Sequence, residues 1–256
     1  MTMDLSIVIP AYNEAARLPA TLRTLGEALG GGERRVEIIV VNDGSTDGTG
    51  ELLRQSPGGG IHWRMLHNPG NRGKGFSVRH GMLAASGARR LFTDADLSAP
   101  ITELPKLEAA LDAGAGIAIG SRSRRELLGR RQSRFRENAG RMFNRIVRLS
   151  LGLPFTDTQC GFKLFTRESA EAIFPLQRIE GWGFDPELLF LARRFGLPVA
   201  EVPVVWAHAD GAKIQMARDS LRMFSDVVAI RGRAWRGVYP RAGSERARAA
   251  AGSPIA

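Results

Sequence analysis

The sequence predicts an α/β domain in which a mostly parallel, Rossmann-like sheet is flanked by helices. Three observations predict this class: buried β-branched runs alternate with segments of helical periodicity, the connecting loops are short, and polar clusters follow the strands directly. The length of 256 residues suits one large α/β domain or two small ones. In such sheets ligands bind at the carboxyl ends of the strands, so these polar clusters mark the expected site.

The first elements are two strands and a helix. Residues 5–9 form an apolar, β-branched run that stops at Pro10, as a buried strand does. Residues 15–29 place leucines at helical spacing and end in the glycines 30–32. Residues 36–41 form a second buried strand that leads directly into a polar segment.

The following elements continue the alternation. Ser45 or Thr46 can cap a helix after the second strand. Residues 63–66 form a shorter strand, and residues 76–85 form a helix. The next strand ends at Asp94.

Beyond residue 120 the composition changes. Residues 122–148 contain ten arginines and two glutamates. An apolar, aromatic segment extends to about Trp206, and an amphipathic helix is predicted over 220–230. The tail over 237–256 is rich in Arg, Ala, Gly and Ser, which predicts disorder.

The bulk properties restrict the partners and the compartment. A formal net charge of +10 predicts an anionic partner. Cys160 is the only cysteine, which excludes an internal disulfide and suits a reducing cytoplasm. No apolar run approaches the ~18 residues that span a bilayer. The first residues lack the features of a signal peptide, so we expect a cytoplasmic protein.

Asp94 and Asp96 stand two residues apart where a short apolar run ends. If residues 91–93 end a strand, the two-residue repeat sends both carboxylates toward one side. Two like charges held that close require a cation, and Mg²⁺ takes one or two carboxylates together with substrate phosphates. The alternative is a pair of solvated turn residues, since Asp is common where strands end.

Two further segments carry polar groups near predicted strand ends. Asp43 can accept a hydrogen bond from a nucleobase imino group or a ribose hydroxyl, or can cap the next helix. Residues 71–75 place Lys74 between glycines before a helix, which suits a phosphate-binding loop or a solvated basic turn. The P-loop of ATPases is excluded, because Asn68 and Gly75 break its spacing.

The arginine-rich segment predicts an amphipathic basic helix at about 100° per residue. Its basic face is formed by Arg134, Arg141, Arg145 and Arg148, and its apolar face by Ala139, Met142, Phe143, Ile146 and Val147. Such a helix lies on an anionic membrane surface or binds phosphates, and guanidinium groups favour phosphate. The alternative is an ordinary solvated surface helix. Nucleic acid is not expected, since neither a helix-turn-helix pattern nor zinc-ligand spacing occurs in the sequence.

Together these motifs resemble the family 2 glycosyltransferases of the GT-A fold, and within them the dolichyl- or polyprenyl-phosphate glucosyltransferases and their mannosyl relatives. The resemblance runs in order from about residue 4 to residue 230. Its most specific piece is DTQCGFKLF at 157–165. The other matching pieces are 9–14, 41–45, 71–75, 93–96, 120–122, 184–189 and 211–213.

The resemblance implies a nucleotide-sugar site and a divalent metal, Mg²⁺ or Mn²⁺, on the Asp-x-Asp (DxD) motif. Asp96 would be the direct metal ligand, and Asp94 would contact ribose or help to hold the metal. The implied nucleotide-sugar contacts are Pro10, Ala11, Tyr12, Glu14, Asp43, Lys74, Asp94, Ala95 and Lys213. The implied organisation is one domain over 1–236, with a nucleotide-binding half of about 1–120 and an acceptor half of about 121–236.

The implied acceptor is a polyprenyl phosphate bound by Arg122, Arg134 and Arg141. A phosphate monoester is already anionic near neutral pH, so it needs positioning more than deprotonation. A hydroxyl acceptor would instead need a carboxylate base, for which Asp157 and Asp185 are the candidates. The catalytic residues expected on these grounds are Asp96, Arg122, Asp157 and Asp185.

The expected activity is metal-dependent, inverting transfer of a hexose to a polyprenyl phosphate, by a protein peripheral on the inner face of the cytoplasmic membrane. Ser98 stands where mannosyl relatives can carry a glutamine metal ligand, which favours UDP-glucose over GDP-mannose and leaves a third metal ligand open. One alternative is the same fold acting on a soluble or protein-bound hydroxyl. The other is a non-catalytic nucleotide-sugar-binding module. An anionic membrane surface is an expected partner, and a homo-oligomer is left open.

Overall fold

A computed structural model of the protein describes residues 3–53, 60–122, 144–206 and 216–240, with the backbone alone for 216–221. These residues form a seven-stranded, mostly parallel sheet with helices on both faces, which confirms the predicted fold class. The strands are β1 (Leu5–Ala11), β2 (Val36–Asn42), β3 (His62–His67), β4 (Arg89–Thr93), β5 (Ile117–Ser121), β6 (Phe162–Thr166) and β7 (Val199–Pro203).

The strand order is β3-β2-β1-β4-β6-β5-β7. β1 pairs in parallel with β2 and β4, β2 with β3, and β5 with β7. β6 runs antiparallel to both of its neighbours, β4 and β5. Because β6 is reversed, the residues that precede it lie at the edge where the parallel strands end.

The central strands are apolar throughout because both of their faces are covered. Ile7 and Val8 of β1 and Ile38 and Ile39 of β2 are all 0% exposed. Successive residues enter different cores, with Ile7 and Ile38 on one side of the sheet and Val8 and Ile39 on the other. A continuous apolar run is the expected sequence of a parallel strand between two layers of helices.

Helices cover both faces of this sheet. The face with Ile7 packs against α1 (Leu18–Leu29) and α3 (Leu104–Asp112). The face with Val8 packs against α2 (Lys74–Ala84), α4 (144–151), α5 (Arg167–Ile173), α6 (Phe184–Arg194) and α7 (Met216–Trp235). None of the helices in the described ranges is long and apolar enough to cross a membrane.

The segment after β2 departs from the prediction. In place of a helix capped by Ser45 or Thr46, it forms a short 3₁₀ turn, Gly48–Glu51. Asp47 caps this turn, since its side chain accepts a hydrogen bond from Thr49 N at 2.9 Å. The glycines within the turn disfavour a longer helix.

The predicted start of the disordered tail, residue 237, is too early. Residues 237–240 continue the packed structure beyond α7. Tyr239 is fully buried, and its hydroxyl donates a hydrogen bond to the buried Glu187. Arg194 Nε donates to the Tyr239 carbonyl at 3.0 Å. The composition around this tyrosine is that of a polar tail, so composition alone misplaces the boundary. Residues 241–256 lie outside the described part of the chain.

Substitution of Tyr239 tests this boundary. We expect Tyr239→Phe to lower the free energy of unfolding by about 1–2 kcal/mol, because Glu187 loses a donor inside the protein. Tyr239→Ala should cost about 3–5 kcal/mol, because it also empties the space of a buried aromatic ring. Urea denaturation measures both changes. Val238→Ala is the control, since Val238 is 43% exposed, and a loss for Tyr239→Ala no larger than for this control would contradict the assignment.

Candidate active site

The carboxyl ends of β1 and β2 are joined into one surface, at the edge of the sheet that the sequence predicts. The parallel register sets Ala11 beside Asn42 at the two strand ends. Beyond them, Asn13 N donates to Ser45 Oγ at 2.9 Å, and Thr46 N donates to Asn13 Oδ1 at 2.8 Å. Asn13 has a φ of +53°, in the left-handed region that asparagine tolerates better than most residues.

Asp43 anchors the glycine-rich loop 71–75. This residue is 4% exposed, and its carboxylate accepts hydrogen bonds from Arg72 N at 2.9 Å, Gly73 N at 2.8 Å and Asn68 Nδ2 at 2.7 Å. A carboxylate offers about four lone-pair sites, so most of its capacity is used within the protein. The predicted cap of the next helix is not its role, and recognition of a base by Asp43 stays a prediction.

Two glycines let this loop lie directly against the segment that precedes α6. A β-carbon on Gly73 would lie 2.6 Å from the Glu180 carbonyl oxygen, and one on Gly75 would lie 2.5 Å from the Ile179 carbonyl oxygen. Gly73 also has a φ of +104°, which residues with a β-carbon avoid. The close approach fixes Lys74 at the first position of α2.

Lys74 forms an ion pair with Asp94, in which Nζ lies 2.5 Å from Oδ1. Burial alone lowers the pKa of Lys74. The negative charges of Asp94, Asp185 and Asp96 outweigh burial, so the pKa lies above its ordinary value and the ammonium is retained. On its other side, the Asp94 carboxylate rests against Gly161, where an added β-carbon would overlap Oδ2. The first carboxylate of the Asp-x-Asp motif is therefore neutralised and positioned by the protein itself.

Asp96 is half-buried, and its Oδ1 accepts a hydrogen bond from Ser98 N at 3.0 Å. Leu97 between them has a φ of +46°, and strain of this kind is found where the surrounding structure enforces it, often at functional sites. In the described part of the chain, no group of three His, Cys, Asp or Glu side chains could hold a metal ion. Asp94 and Asp96 supply carboxylate oxygens, the type of ligand that Mg²⁺ and Mn²⁺ prefer, and their role as metal ligands stays a prediction.

Arg122, which directly follows β5, forms a bidentate ion pair with Asp157. Asp157 lies in the turn that leads to Gly161. Arg122 Nε lies 2.7 Å from Asp157 Oδ2, Nη2 lies 2.8 Å from Oδ1, and the Arg122 backbone N–H donates to Oδ2 at 3.0 Å. Burial raises the pKa of Asp157, but the hydrogen bonds and charge of Arg122 outweigh it and lower the pKa to about 2. Asp157 is therefore a weak proton acceptor. Arg122 also lies over the ring of Trp206, at 4.9 Å from its centroid.

Asp185 lies beneath this edge rather than on it. It is 4% exposed and pairs with the fully buried Lys163, whose Nζ lies 2.5 Å from Oδ1. Lys163 also donates to the Cys160 carbonyl at 2.7 Å. Burial raises the pKa of Asp185, and the charges of Lys163 and Lys74 offset this only in part. Its predicted role as a base for a hydroxyl acceptor stays a prediction, against which its burial argues.

The other predicted site residues fall into two groups. Those in the described ranges lie at or just beyond the ends of β1 and β4: Pro10, Ala11, Tyr12, Glu14 and Ala95. Tyr12 is 39% exposed, and Glu14 pairs with Arg17 at 2.9 Å. Arg134, Arg141 and Lys213 lie outside the described residues, so their roles stay predictions. Of the predicted basic helix, residues 144–148 are described, and they lie within α4.

Sequence reasoning missed three side chains that the structure brings to the site. Trp182 lies beside Lys74, whose Nζ is 5.0 Å from the centroid of its ring. Trp206 supports Arg122. Glu201 accepts a hydrogen bond from Asp157 N at 2.8 Å. A tryptophan between two glycines was a usable signal for Trp182, whereas Glu201 sits in an ordinary strand pattern that gives none.

Comparison with known proteins identifies the family. The Glycosyl transferase family 2 profile matches residues 6–174. A dolichyl-phosphate beta-glucosyltransferase from Dictyostelium discoideum is 37% identical over 251 residues, with 92% of this chain and 76% of the relative covered. The Drosophila melanogaster protein of the same name is 40% identical over 244 residues, with 90% and 74% covered.

Solved structures show the same fold. Glucosyl-3-phosphoglycerate synthase from Mycobacterium tuberculosis, crystallised with Mn²⁺, UDP-glucose and phosphoglyceric acid, matches with a TM-score of 0.69 at 23% identity. The match covers 90% of this chain and 80% of that one. The family profile spans more than half of the sequence and the relatives match along most of it, so the chain belongs to glycosyl transferase family 2.

Proposed function

We propose that this glycosyltransferase moves glucose from UDP-glucose onto a dolichyl- or polyprenyl-type phosphate, with inversion at the anomeric carbon. The Arg122–Asp157 pair supports this most directly, because it fixes a guanidinium on the turn that ends at Gly161, where the Asp94 carboxylate rests, and leaves the Asp157 carboxylate with a pKa of about 2. A fixed cation paired with a weakly basic carboxylate suits a nucleophile that is already ionised. Relatives named dolichyl-phosphate beta-glucosyltransferase, at 36% to 40% identity, point the same way.

The donor side of the proposed reaction uses the Lys74–Asp94 pair and Asp96. Asp96 would hold an Mg²⁺ or Mn²⁺ ion, with Asp94 shared between that ion and the ribose. When bound, the ion supplies Lewis-acid stabilisation of the diphosphate leaving group. Solved structures of the same fold contain UDP with Mn²⁺ or Mg²⁺. We assign recognition of the base to Asp43 and closure over the diphosphate to Lys213.

The acceptor side has to position an anion. A phosphate monoester loses its second proton near pH ~6, so its oxygen is nucleophilic at neutral pH without a side-chain base. The protein must hold that oxygen in line with the anomeric carbon and reduce its repulsion from the donor diphosphate. Arg122 keeps N–H groups beyond those bound to Asp157, and we assign the acceptor phosphate to it together with Arg134 and Arg141.

A hydroxyl acceptor is the second candidate, because the chain shares its fold with a glucosyl-3-phosphoglycerate synthase. That reaction needs a general base, and the described carboxylates offer a poor one. Asp157 is held by Arg122, and Asp185 is buried against Lys163. Loss of activity in Asp185→Ala would not identify a base, because that change leaves the buried Lys163 ammonium without its ion-pair partner. A non-catalytic binding module is disfavoured by the intact set of Lys74, Asp94 and Asp96.

We place the reaction at a membrane surface, because a polyprenyl chain keeps its phosphate at the bilayer. The net charge of +10 suits a peripheral position on an anionic leaflet, which we take to be the inner face of the cytoplasmic membrane. In this proposal residues 1–120 bind the nucleotide sugar and residues 121–236 receive the acceptor.

A panel of donors tests the function. UDP-glucose, UDP-N-acetylglucosamine, UDP-galactose and GDP-mannose are each incubated with a short-chain polyprenyl phosphate, with and without Mg²⁺ or Mn²⁺. We expect UDP-glucose to be consumed fastest, only with metal, and to give a lipid glucosyl phosphate of inverted configuration, detected by mass spectrometry and NMR. If no donor is consumed with the lipid phosphate while a sugar or glycerate hydroxyl is glucosylated, the proposed acceptor is wrong.

The two carboxylates of the Asp-x-Asp motif should differ. We expect Asp96→Ala to lower metal-dependent turnover about a thousandfold, with metal-free UDP affinity unchanged. Asp94→Ala should lose turnover and also weaken metal-free UDP binding about tenfold, because it removes the ribose contact and the partner that holds Lys74. Calorimetric titration with UDP, with chelator and with Mg²⁺, separates the two effects. Asp112→Ala is the control, since that side chain is 62% exposed on the surface, and identical profiles for Asp94→Ala and Asp96→Ala would refute the difference.

The pH profile separates the two acceptor classes. Asp157, with a pKa of about 2, stays ionised throughout the range in which a phosphate acceptor titrates. We therefore expect the acidic limb of kcat/KM, near pH ~6, to persist in Asp157→Asn, with the whole profile lowered by about tenfold to a hundredfold. If the residual activity of Asp157→Asn lacks the acidic limb that the parent shows, Asp157 acts as a base and the proposed acceptor is wrong. Asp4→Asn is a matched control, because Asp4 binds the backbone and guanidinium of Arg35 in the same way at the surface.

A further inference from the structure

α7 exposes a stripe of large apolar side chains. Trp235 is 90% exposed, Val228 is 57% exposed and Phe224 is 50% exposed. The three recur at spacings of four and seven residues, which keeps them within about 40° of one another on a helix. Arg231 falls on the same line. A single exposed apolar residue is ordinary, but an aligned set on one helix marks an interaction surface.

A groove of about 800 Å³ borders this stripe, between α4, α6 and α7. Its walls are mostly apolar and include Leu151, Phe190 and Trp235. Its rim carries the arginines Arg193, Arg194 and Arg231. No acidic side chain lines it among the described residues. We refer to the stripe and the groove together as the α7 face.

Among the residues that the structure describes, no carboxylate forms an ion pair with the arginines at the rim of the α7 face. Arg193 and Arg194 donate hydrogen bonds to the main-chain carbonyls of Gly152 and Tyr239 rather than to carboxylates, so their positive charge remains. From residue 222 to residue 236, α7 and the residue after it contain four arginines and one acidic residue, Asp226, whose carboxylate interacts with Arg233 and Arg222 rather than with the rim arginine Arg231. An apolar surface bounded by uncompensated arginines complements a layer that is apolar inside and anionic outside.

We infer that the α7 face docks this chain on an anionic lipid bilayer. Tryptophan favours the boundary between headgroups and acyl chains, where Trp235 would insert with Val228. The long side chain of Arg231 lets its guanidinium reach lipid phosphates while its stem stays apolar. The inference rests on the proposed function, since it names the membrane contact of an enzyme whose acceptor is a lipid phosphate.

Two other occupants fit the charges less well. A second copy of the chain related by twofold symmetry would set the arginine rim against its own equivalent. The chain's own residues 241–256 contain three arginines and one glutamate, so they carry the same sign of charge as the rim. An anionic lipid surface meets the arginines with opposite charge and the stripe with hydrocarbon.

The position of α7 links this docking to the site. Gln159, in the turn between Asp157 and Gly161, donates to Met223 Sδ at 3.7 Å. Trp235 lies about 18 Å farther along the helix axis at 1.5 Å per residue. α7 therefore runs continuously from the turn that contains Asp157 to Trp235, so docking on the α7 face would hold that turn, and the Arg122 bound to it, at a fixed distance from the bilayer.

The test is cosedimentation of the full chain with vesicles of phosphatidylcholine alone or of phosphatidylcholine and phosphatidylglycerol in equal parts. We expect binding to the mixed vesicles only, with the partition coefficient lowered about tenfold by Trp235→Ala combined with Val228→Ser and about tenfold by Arg231→Glu. Arg23→Glu is the matched control, because it changes the net charge equally from the exposed surface of α1, on the opposite face of the sheet. Equal losses for Arg231→Glu and Arg23→Glu would show a diffuse charge effect and overturn the inference.

Two further readouts keep the outcomes distinct. Transfer to a short-chain, water-soluble polyprenyl phosphate without vesicles should be unchanged in all these variants, which also shows that they are folded. If the parent protein fails in that assay, the proposed function fails whatever the vesicles show. If the parent is active but the α7-face variants bind mixed vesicles as the parent does, only the docking inference fails. A dimer in light scattering that Trp235→Ala dissociates would assign the face to a second copy and overturn the inference as well.

Discussion

The Lys74–Asp94 ion pair is the interaction on which the arrangement of the site depends. Lys74 is placed by two glycines whose neighbours leave no room for a β-carbon, and Asp94 is placed by the end of β4 and by Gly161. The pair thus connects the glycine-rich loop before α2 to the turn before β6. That turn also contains Asp157, so the position of Arg122 follows from the same contacts. The groups proposed to bind the donor and the acceptor come from distant parts of the sequence, and these contacts join them.

Charge pairing explains why the site can work with two anionic substrates. Three of the cation–carboxylate pairs at or below this edge of the sheet involve predicted site residues: Lys74–Asp94, Arg122–Asp157 and Lys163–Asp185. Burial lowers the pKa of Lys74 and of Arg122, but their carboxylate partners outweigh it and raise both pKa values. The deepest pair, Lys163–Asp185, is the least available to substrates. The outer two cations keep donors that the carboxylates do not use. In the proposed reaction these donors, with a metal on Asp96, oppose the repulsion between a diphosphate and an incoming phosphate.

The sequence predicted the parts of this architecture that depend on local pattern. β1 and β2 were evident because a strand covered on both faces is apolar at every position, and the polar segments after them were evident because strand ends meet at one edge. Burial of polar side chains and pairing between residues distant in sequence were not evident from the sequence. Asp185 was a plausible base in sequence and is a buried partner of Lys163 in the structure, because nothing in the local pattern places an acid beneath a lysine. The predicted start of the disordered tail was wrong for a similar reason. The ring of Tyr239 is buried in the folded domain, although the residues around it have a polar composition. Glu201, which holds the Asp157 turn, is visible only once β7 is paired with β5.

A lipid phosphate adds a constraint that soluble acceptors do not, since its headgroup moves in a plane and the enzyme must meet that plane at a fixed height. Holding the chain on the bilayer raises the effective concentration of acceptor without any new contact to it. It also removes orientations in which the site faces away from the headgroups, which lowers the entropic cost of alignment. Such a gain requires that the docking surface and the site move as one body. α7 and α6 provide that rigidity by packing into one core, through Val227 and Ile230 of α7 and Phe184 and Leu188 of α6. The contact between Gln159 and Met223 extends it to the turn between Asp157 and Gly161.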